Sequence, residues 1–344
     1  MLDLGALARR DRPDLAAYLG AGSLDPLLAA GPAVWHDVLA AVTAWVADAD
    51  RVPLADVTLH LPWTVADYVD FYASEHHATN LGRKFRPDQE PLTPNWKHLP
   101  IGYHGRSGTV VVSGTDVARP TGQRRTPEGD IVFGPATRLD IEAEVGFVVG
   151  VPSRLGTPVP RRDFADHVFG VCLVNDWSAR DIQAWEYVPL GPFLGKSFAT
   201  SVSPWVVPLG LLQHARVPPP PRDPRPLPYL DDTDDEPWGL DLRLEVRLNG
   251  EVLSRPPFAT TYWTPAQMLA HLTVNGASLR TGDLYASGTV SGPEPDQWGS
   301  LIELGRGFLE DGDEVVIGAT APGPDGSVVD LGEVTGRVRP ATGT

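Results

Sequence analysis

Two glutamates stand inside an apolar stretch where acidic side chains are costly. Glu142 and Glu144 are two residues apart in the strand-like run Ile141 to Val149, so their side chains leave one face about 6.7 Å apart along the backbone. At an effective dielectric constant near 20 the two carboxylates repel each other by roughly 2 kcal/mol, which a buried strand does not carry without a cation. A solvent-facing strand edge is the alternative, but the apolar flanks disfavour it. We therefore expect a metal at this pair.

A third acidic residue lies where a strand ends and a helical turn begins. Asp176 follows the apolar run Val171 to Val174 and precedes Trp177 and Ser178. Ser178 with Asp181 fits a capping box, so a plain helix N-cap is the alternative to a functional role. The next turn places a cation, an amide and a phenol on one face, at Arg180, Gln183 and Tyr187. These groups suit a carboxylate or carbonyl ligand better than a core.

A histidine, His77, shares a predicted helix face with an aspartate and a serine. The stretch Thr64 to Gly82 is interpreted as a helix or helical turns, with Thr64 and Asp67 as a possible capping box. On such a helix Asp70, Ser74 and His77 share one face. Glu75-His76-His77 lacks the spacing of a zinc-protease helix, and a purely structural histidine remains the alternative.

Composition and motif spacing exclude several classes of protein. The chain has 28 Lys and Arg against 44 Asp and Glu, hence a net charge of −16, which disfavours nucleic acid and anionic membranes as partners. Gly195-Lys196-Ser197 lacks the earlier glycine of a phosphate loop, Gly20-Ala21-Gly22 lacks the third glycine of a dinucleotide site, and no Gly-x-Ser-x-Gly elbow occurs. The single cysteine, Cys172, excludes internal disulfides and Cys-based metal sites. With no signal-like N-terminus and no apolar span, we expect a cytoplasmic protein.

The elements that must position these residues are mainly strands. Gly and Pro number 35 each, which favours a mainly β fold with short helices. Strands are predicted at Thr109 to Val112, Ile141 to Val149, Gly170 to Asn175, Leu242 to Leu248, Val315 to Ala319 and Val328 to Val338. Asn249-Gly250 predicts a hairpin turn leading into Glu251 to Ser254. Helices are predicted at Trp35 to Ala47, and from Thr264 as N-cap through Leu272.

Several segments, read together, resemble the fumarylacetoacetate hydrolase family. They are Asp70-Phe71-Tyr72, His77 to Asn80, Pro94-Asn95-Trp96, Tyr103 to Arg106, Asn175 to Gln183, Trp185 to Phe198, Ser287-Gly288-Thr289 and Ser291 to Glu294. The similarity covers nearly the whole chain from about Leu61. The tryptophan-containing block from 175 to 198 is the specific part, whereas Glu-x-Glu alone would be weak.

The resemblance implies a fold, a reaction and a set of site residues. The fold is a mixed β-roll, and the reaction is metal-dependent hydrolysis of a carbon–carbon bond in a β-diketone, giving fumarate and acetoacetate, the last step of tyrosine and phenylalanine breakdown. The resemblance implies Ca²⁺ ligands at Asp70, Glu142, Glu144 and Asp176, and a second, structural Mg²⁺ at Asp176, Lys196 and Thr200, with Lys196 giving its backbone oxygen. It implies catalytic roles for His77 as general base, Glu303 as its orienting acid, and Arg180, Gln183 and the Lys196 side chain as charge stabilisers. Substrate contacts are implied at Tyr72, Arg86, Tyr103, Gln183, Tyr187 and Thr289.

The sequence also predicts the domain organisation and the oligomeric state, and it leaves two alternative functions open. We expect a small N-terminal region at 1–62 and a catalytic domain at 63–344. The resemblance implies about forty further residues before the position that matches Met1, so either this region is abridged or the start codon lies further upstream. A homodimer is expected. One alternative is another reaction of the wider superfamily, an acylpyruvate hydrolase, decarboxylase or isomerase, and the other is a non-enzymatic calcium-binding β module. Retention of His77, Glu303 and the block from Trp185 to Phe198 favours cleavage of the β-diketone over the first alternative. The second alternative gives His77 no use, and its secreted setting does not fit an N-terminus that lacks signal-peptide features.

Overall fold

The computed structural model describes residues 1–343, and the first part of the chain is helical. Four of them lie within the first 48 residues: α1 Leu4–Asp11, α2 Ala16–Leu19, α3 Asp25–Ala30 and α4 Pro32–Asp48. The prediction of a helix over Trp35 to Ala47 is confirmed by α4. The later helices are α5 Glu75–Phe85, α6 Phe164–His167, α7 Arg180–Glu186, α8 Pro265–Thr273 and α9 Leu301–Leu304. No helix in the described part of the chain is both long and apolar enough to cross a bilayer.

Strands provide the scaffold of the remainder. In chain order they are β1 Tyr68–Phe71, β2 Gly102–His104, β3 Val110–Val112, β4 Val117–Ala118, β5 Thr121–Arg125, β6 Ile131–Pro135, β7 Leu139–Asp140, β8 Ala143–Val149, β9 Val168–Asp176, β10 Ser178–Ala179, β11 Thr200–Val202, β12 Val207–Pro208, β13 Arg216–Val217, β14 Gly239–Leu240, β15 Arg243–Leu248, β16 Glu251–Ser254, β17 Leu284–Ala286, β18 Glu314–Pro322 and β19 Val328–Arg339. Each of the predicted strands is present within a few residues of its expected bounds.

Two sheets contain most of these strands. The larger has the order β2-β1-β17-β8-β9-β11-β3, with β12 also paired to β9, and the smaller has the order β16-β15-β18-β19-β4. Parallel pairs such as β1 with β17 and antiparallel pairs such as β8 with β9 occur in the same sheet. The expected mixed β-roll with short helices is therefore confirmed.

Apolar cores lie on both faces of the larger sheet. Phe147 and Leu173 belong to one core, which also contains Val246 and Ile317 from the smaller sheet and Leu269 from α8. The other core joins Val148 and Val174 to the N-terminal helices through Leu28, Trp35 and Trp45. Residues 1–62 thus cover the second face of the sheet, and their apolar side chains are buried against its strands.

Two local predictions hold for the expected physical reasons. Asn249 and Gly250 both have positive φ, 51° and 86°, as a two-residue hairpin turn between β15 and β16 requires. Helix α8 begins with the predicted Thr264 cap, and Gln267 completes a capping box.

The helix predicted over Thr64 to Gly82 is wrong in its first half. Tyr68–Phe71 is a fully buried strand paired with β17 and β2, and helix α5 begins only at Glu75, where the Ser74 hydroxyl accepts the His77 amide at 3.3 Å. The Thr64 hydroxyl donates to Asp25 instead of capping a helix. Tertiary pairing of an aromatic and β-branched segment overrides the local helical pattern here.

Candidate active site

Four carboxylates carried by three strands of the larger sheet, β1, β8 and β9, meet in one cluster. Asp70 lies in β1, Glu144 lies in β8 with Glu142 immediately before that strand, and Asp176 ends β9. One oxygen of each lies within 4.8 Å of the others, and all four side chains are buried. The structure thus brings together every residue predicted to bind Ca²⁺.

The electrostatics of this carboxylate cluster favour a bound cation. Burial, reinforced by the neighbouring carboxylates, raises the pKa of Asp70, Glu144 and Asp176. Burial also acts to raise the pKa of Glu142, but Lys196 and Arg180 outweigh it and hold that pKa below its usual range. Both oxygens of Glu144 and Oδ1 of Asp70 are buried without a hydrogen-bond partner. An all-oxygen site with unsatisfied carboxylates fits a hard divalent ion.

Lys196 lies inside the cluster as a protein cation. Its Nζ contacts Glu142 Oε2 and Asp176 Oδ2, both at 2.5 Å. The Thr200 hydroxyl donates to Asp176 Oδ1 at 3.2 Å, so the three residues predicted for a second metal are adjacent. Lys196 and Arg180 place two positive charges against the four carboxylates, and Arg180 is shared with the buried Asp140, so acidic groups outnumber basic ones here, as suits a divalent ion.

His77 and Glu303 form a buried pair despite lying 226 residues apart. His77 Nδ1 is 2.7 Å from Glu303 Oε2, and both side chains are almost completely buried. A carboxylate at Nδ1 favours the tautomer with the proton there, which leaves Nε2 as a free base. The ring of Tyr72, two residues after Asp70 in the chain, packs against the His77 ring with centroids 5.4 Å apart, which puts the pair next to the strand that carries Asp70.

Three further side chains hold Glu303 in place. Its Oε2 accepts from Ser300 at 2.6 Å and from Ser291 at 3.0 Å, and its Oε1 accepts from Asn80 at 3.0 Å. Burial acts to raise the pKa of Glu303, but His77 and these donors outweigh it, and the net pKa is lowered. Glu303 therefore remains an acceptor for the imidazole.

Arg180 and Gln183 begin helix α7 and contact each other. Arg180 Nη1 lies 2.7 Å from Glu142 Oε1 and donates to Gln183 Oε1 at 3.3 Å, while its Nη2 is buried without a partner. The predicted capping box at Ser178 is wrong, because the helix starts two residues later and Asp181 accepts from Thr137 instead. Ser178 pairs with Asp140 across β10 and β7.

The predicted substrate contacts divide into two groups. Tyr103 donates to Asp176 Oδ2 at 3.2 Å, the Tyr72 ring packs edge-on against His77 at 5.4 Å, and Thr289 Oγ1 is buried without a partner. Arg86 donates to the Pro91 carbonyl at 2.7 Å, and Tyr187 is 49% exposed. Neither of these two side chains hydrogen-bonds another predicted site residue within residues 1–343, so their substrate roles remain predictions.

Sequence reasoning missed the residues that support the site. Asn80, Ser291 and Ser300 around Glu303 carry no local signal, because they meet only in the folded chain. Asp140 did carry a local signal in the sequence, because it precedes Glu142 and Glu144 with the same two-residue spacing.

The mixed sheet and its buried carboxylate cluster are those of a metal-dependent family of enzymes. The family model for the fumarylacetoacetate (FAA) hydrolase C-terminal region matches residues 67–339. The chain therefore belongs to the fumarylacetoacetate hydrolase family.

Individual proteins with a known name are similar to this chain over most of its length. The chain is 51% identical over 308 residues to fumarylacetoacetase of Homo sapiens, covering 83% of this chain and 73% of that protein. It is 49% identical over 311 residues to fumarylacetoacetase of Caenorhabditis elegans, covering 84% and 74%. A solved structure, 5-carboxymethyl-2-hydroxymuconate delta-isomerase from Mycobacterium smegmatis, superposes with a TM-score of 0.54 at 21% identity, over 86% of this chain and 87% of that one. At that identity the likeness shows the fold alone.

Proposed function

We propose that this protein is a fumarylacetoacetase, a hydrolase that cleaves 4-fumarylacetoacetate to fumarate and acetoacetate in tyrosine and phenylalanine breakdown. The observation that carries the proposal is the buried His77–Glu303 pair beside four carboxylates. The fumarylacetoacetases of Homo sapiens and Caenorhabditis elegans are about half identical to this chain over most of its length. This similarity supports fumarylacetoacetate as the substrate.

The chain's own residues account for the proton transfer. Hydrolysis needs water to attack the fumaryl ketone carbon and needs the departing carbon to leave as an enolate. His77 Nε2 takes the proton of the attacking water, and Glu303 holds the ring by Nδ1. The bond from the ketone carbon to the adjacent methylene then breaks and releases fumarate. The proton that His77 took from water is returned to the enolate carbon, which completes acetoacetate and restores the neutral imidazole.

We propose Asp70, Glu142, Glu144 and Asp176 as the ligands of an active-site Ca²⁺, which Mg²⁺ can replace. When bound, such a cation supplies positive charge that polarises the diketone oxygens. A second, structural Mg²⁺ is proposed at Asp176, Thr200 and the backbone oxygen of Lys196. The buried, partnerless oxygens of Glu144 and Asp70 support the first site, and the contact of Thr200 with Asp176 supports the second.

The remaining polar groups bind and stabilise the substrate in this proposal. Arg180, Gln183 and the Lys196 ammonium stabilise the developing negative charge, and the partnerless Arg180 Nη2 is available for an oxygen ligand. Arg86 binds a substrate carboxylate, as a guanidinium does bidentately. Tyr72, Tyr103, Tyr187 and Thr289 complete the substrate contacts.

Loss of the diketone absorbance of fumarylacetoacetate in the presence of Ca²⁺ or Mg²⁺ tests the proposed substrate. Acylpyruvates serve as the competing substrate class, because the same fold supports related chemistries. We expect kcat/KM for fumarylacetoacetate to exceed that for acylpyruvates by at least tenfold. A preference for the acylpyruvates would replace the proposed function with that of another family member.

We propose a homodimer and predict that Leu190→Asp weakens it. Val188, Leu190 and Phe193 are 66%, 96% and 67% exposed after helix α7, and Phe133 on the β5–β6 hairpin is 72% exposed. The Trp185 indole donates to Gln123 on that hairpin, so the two segments adjoin. An exposed apolar surface of this kind suits association with a second copy.

Light scattering at micromolar concentration should give twice the protomer mass for the parent and a lower mass for Leu190→Asp. Leu155→Asp, at a residue that is 83% exposed elsewhere, is the matched control and should remain dimeric. A monomer mass for the parent would refute the dimer.

Location and domain division are also proposals. We propose a cytoplasmic protein, which a free, buried Cys172 suits. We also propose that 1–62 is an N-terminal region attached to a catalytic domain at 63–344. The shared core with β8 and β9 supports treating that region as a cover for the sheet.

A further inference from the structure

Asp140 is a fully buried carboxylate that the proposed mechanism leaves without a role. Its Oδ1 accepts the backbone N–H groups of Ile141 and Leu301, both at 2.8 Å. Its Oδ2 accepts Arg180 Nε at 2.8 Å and the Ile302 N–H at 3.2 Å. A carboxylate has about four acceptor positions, so these donors fill it and leave none for a metal or a substrate.

One side of Asp140 fixes the guanidinium of Arg180. Strand β7 pairs with β10 so that Asp140 lies opposite Ser178, two residues before Arg180. The Nε edge of the guanidinium is held by Asp140 and Nη1 by Glu142, while Nη2 remains without a protein partner. The two carboxylates therefore set the plane in which Nη2 can meet a ligand.

The other side of Asp140 anchors the short helix that carries Glu303. Leu301 and Ile302 are the first two residues of α9, and Glu303 is the third. Ser300 stands at the N-cap position, but its side chain makes no cap and donates to Glu303 instead. Asp140, from a distant strand, accepts the helix N–H groups that the N-cap residue leaves free.

We propose that Asp140 is a positioning residue that holds the charge-stabilising Arg180 and the His77–Glu303 base pair in fixed placement relative to each other. The kinetic part of this inference rests on the proposed hydrolysis. A displacement of reacting groups by about 1 Å can cost about 10²-fold in rate, so a shared anchor for both groups matters to catalysis beyond its effect on stability.

The variant Asp140→Asn tests this role, because it keeps the shape and one acceptor oxygen but replaces one oxygen with a donor. We expect kcat for fumarylacetoacetate to fall about 10²-fold with KM changed less than threefold. Asp283→Asn is the matched control, since Asp283 is also a buried carboxylate that accepts a backbone N–H and contacts an arginine, at Arg280. It should leave kcat unchanged.

A double-mutant comparison separates positioning from simple destabilisation. If Asp140 acts through Arg180, the loss caused by Arg180→Ala should be at least fivefold smaller in the Asp140→Asn background than in the parent. Additive losses, or a normal kcat for folded Asp140→Asn, would overturn the proposal.

Hydrogen exchange provides a readout that requires neither activity nor a folded Asp140 variant. In Arg180→Ala, amides of residues 301–304 should exchange about tenfold faster than in the parent, while those of α8 stay unchanged, because only the first segment shares the Asp140 anchor. Unchanged exchange at 301–304 would overturn the proposal. The expected difference in exchange between Arg180→Ala and the parent could occur in a protein that does not hydrolyse fumarylacetoacetate. That outcome would refute the proposed function and leave the positioning role standing.

Discussion

His77→Ala is expected to lower kcat for fumarylacetoacetate by about 10²- to 10⁴-fold, the usual contribution of a general base. Metal affinity should change little, because the variant removes no proposed metal ligand, whereas the melting temperature should fall, because alanine leaves the buried Glu303 carboxylate without its imidazole partner. Glu303→Gln should give a smaller loss, since the imidazole remains but its orientation is weakened. Steady-state kinetics at saturating substrate and metal, with a thermal melt for each variant, measure both effects.

His76→Ala is the matched control for this experiment. His76 precedes His77 on helix α5, and its side chain takes part in no hydrogen bond or ion pair of the site among the described residues. Its replacement should leave turnover near that of the parent. If the folded fraction of His77→Ala turned over normally and only its melting temperature were lower, His77 would be a packing residue and the general-base assignment would fail.

Removal of the bound metal is expected to abolish activity and lower the melting temperature together. Chelation leaves Asp70, Glu142, Glu144 and Asp176 repelling one another in a buried site, and it deletes the stabilisation that a ligand gives the folded state. Addition of Ca²⁺ or Mg²⁺ to the chelated protein should restore both, and the more effective ion identifies the better fit. Full turnover by protein shown by elemental analysis to be metal-free would contradict the proposed site.

The stabilisation by metal should also grow as the pH rises from 6 to 8. Burial and neighbouring carboxylates raise the pKa of Asp70, Glu144 and Asp176, so the folded metal-free protein holds protons that its unfolded chain has released. Its free energy of unfolding therefore falls as the pH rises through those pKa values. Glu142 has a lowered pKa, so its contribution is complete above pH 4.5 and does not oppose this trend.

Melting temperatures with and without metal at the two pH values measure this effect. Because metal binding displaces the extra protons, the difference between metal-loaded and chelated protein should be larger at pH 8. A difference that shrank with rising pH would show that protons do not compete with the metal at these carboxylates.

The extent to which sequence reasoning succeeded depended on how local each feature was. Glu142 and Glu144 are neighbours on one strand face, so their spacing alone indicated a charged site. The β15–β16 hairpin and helix α8 depend on turn and cap residues within a few positions, and they were predicted correctly. Asp70 was placed on a helix because its strand is defined by pairing with β17 and β2, which local periodicity does not show.

Long-range contacts explain what the residues alone did not reveal. Glu303 lies 226 positions from His77, and only the family resemblance linked them before the structure. The packing of Trp35 and Trp45 against β8 and β9 likewise depends on tertiary contacts of an otherwise ordinary amphipathic helix. Asp140 shares the two-residue spacing of Glu142 and Glu144, but its role depends on Arg180, Leu301 and Ile302, which lie far along the chain, so the spacing did not reveal that role.

Addition of water across a carbon–carbon bond of a diketone leaves an isotopic label, which can be followed during turnover of fumarylacetoacetate by metal-loaded protein in ¹⁸O-labelled water. Mass spectrometry should find one solvent oxygen incorporated into a carboxylate of fumarate and none in the carboxylate of acetoacetate, because water attacks the fumaryl ketone. A product of unchanged mass would indicate isomerisation, and loss of carbon dioxide would indicate decarboxylation. Either result, or fumarate without label, would contradict the account.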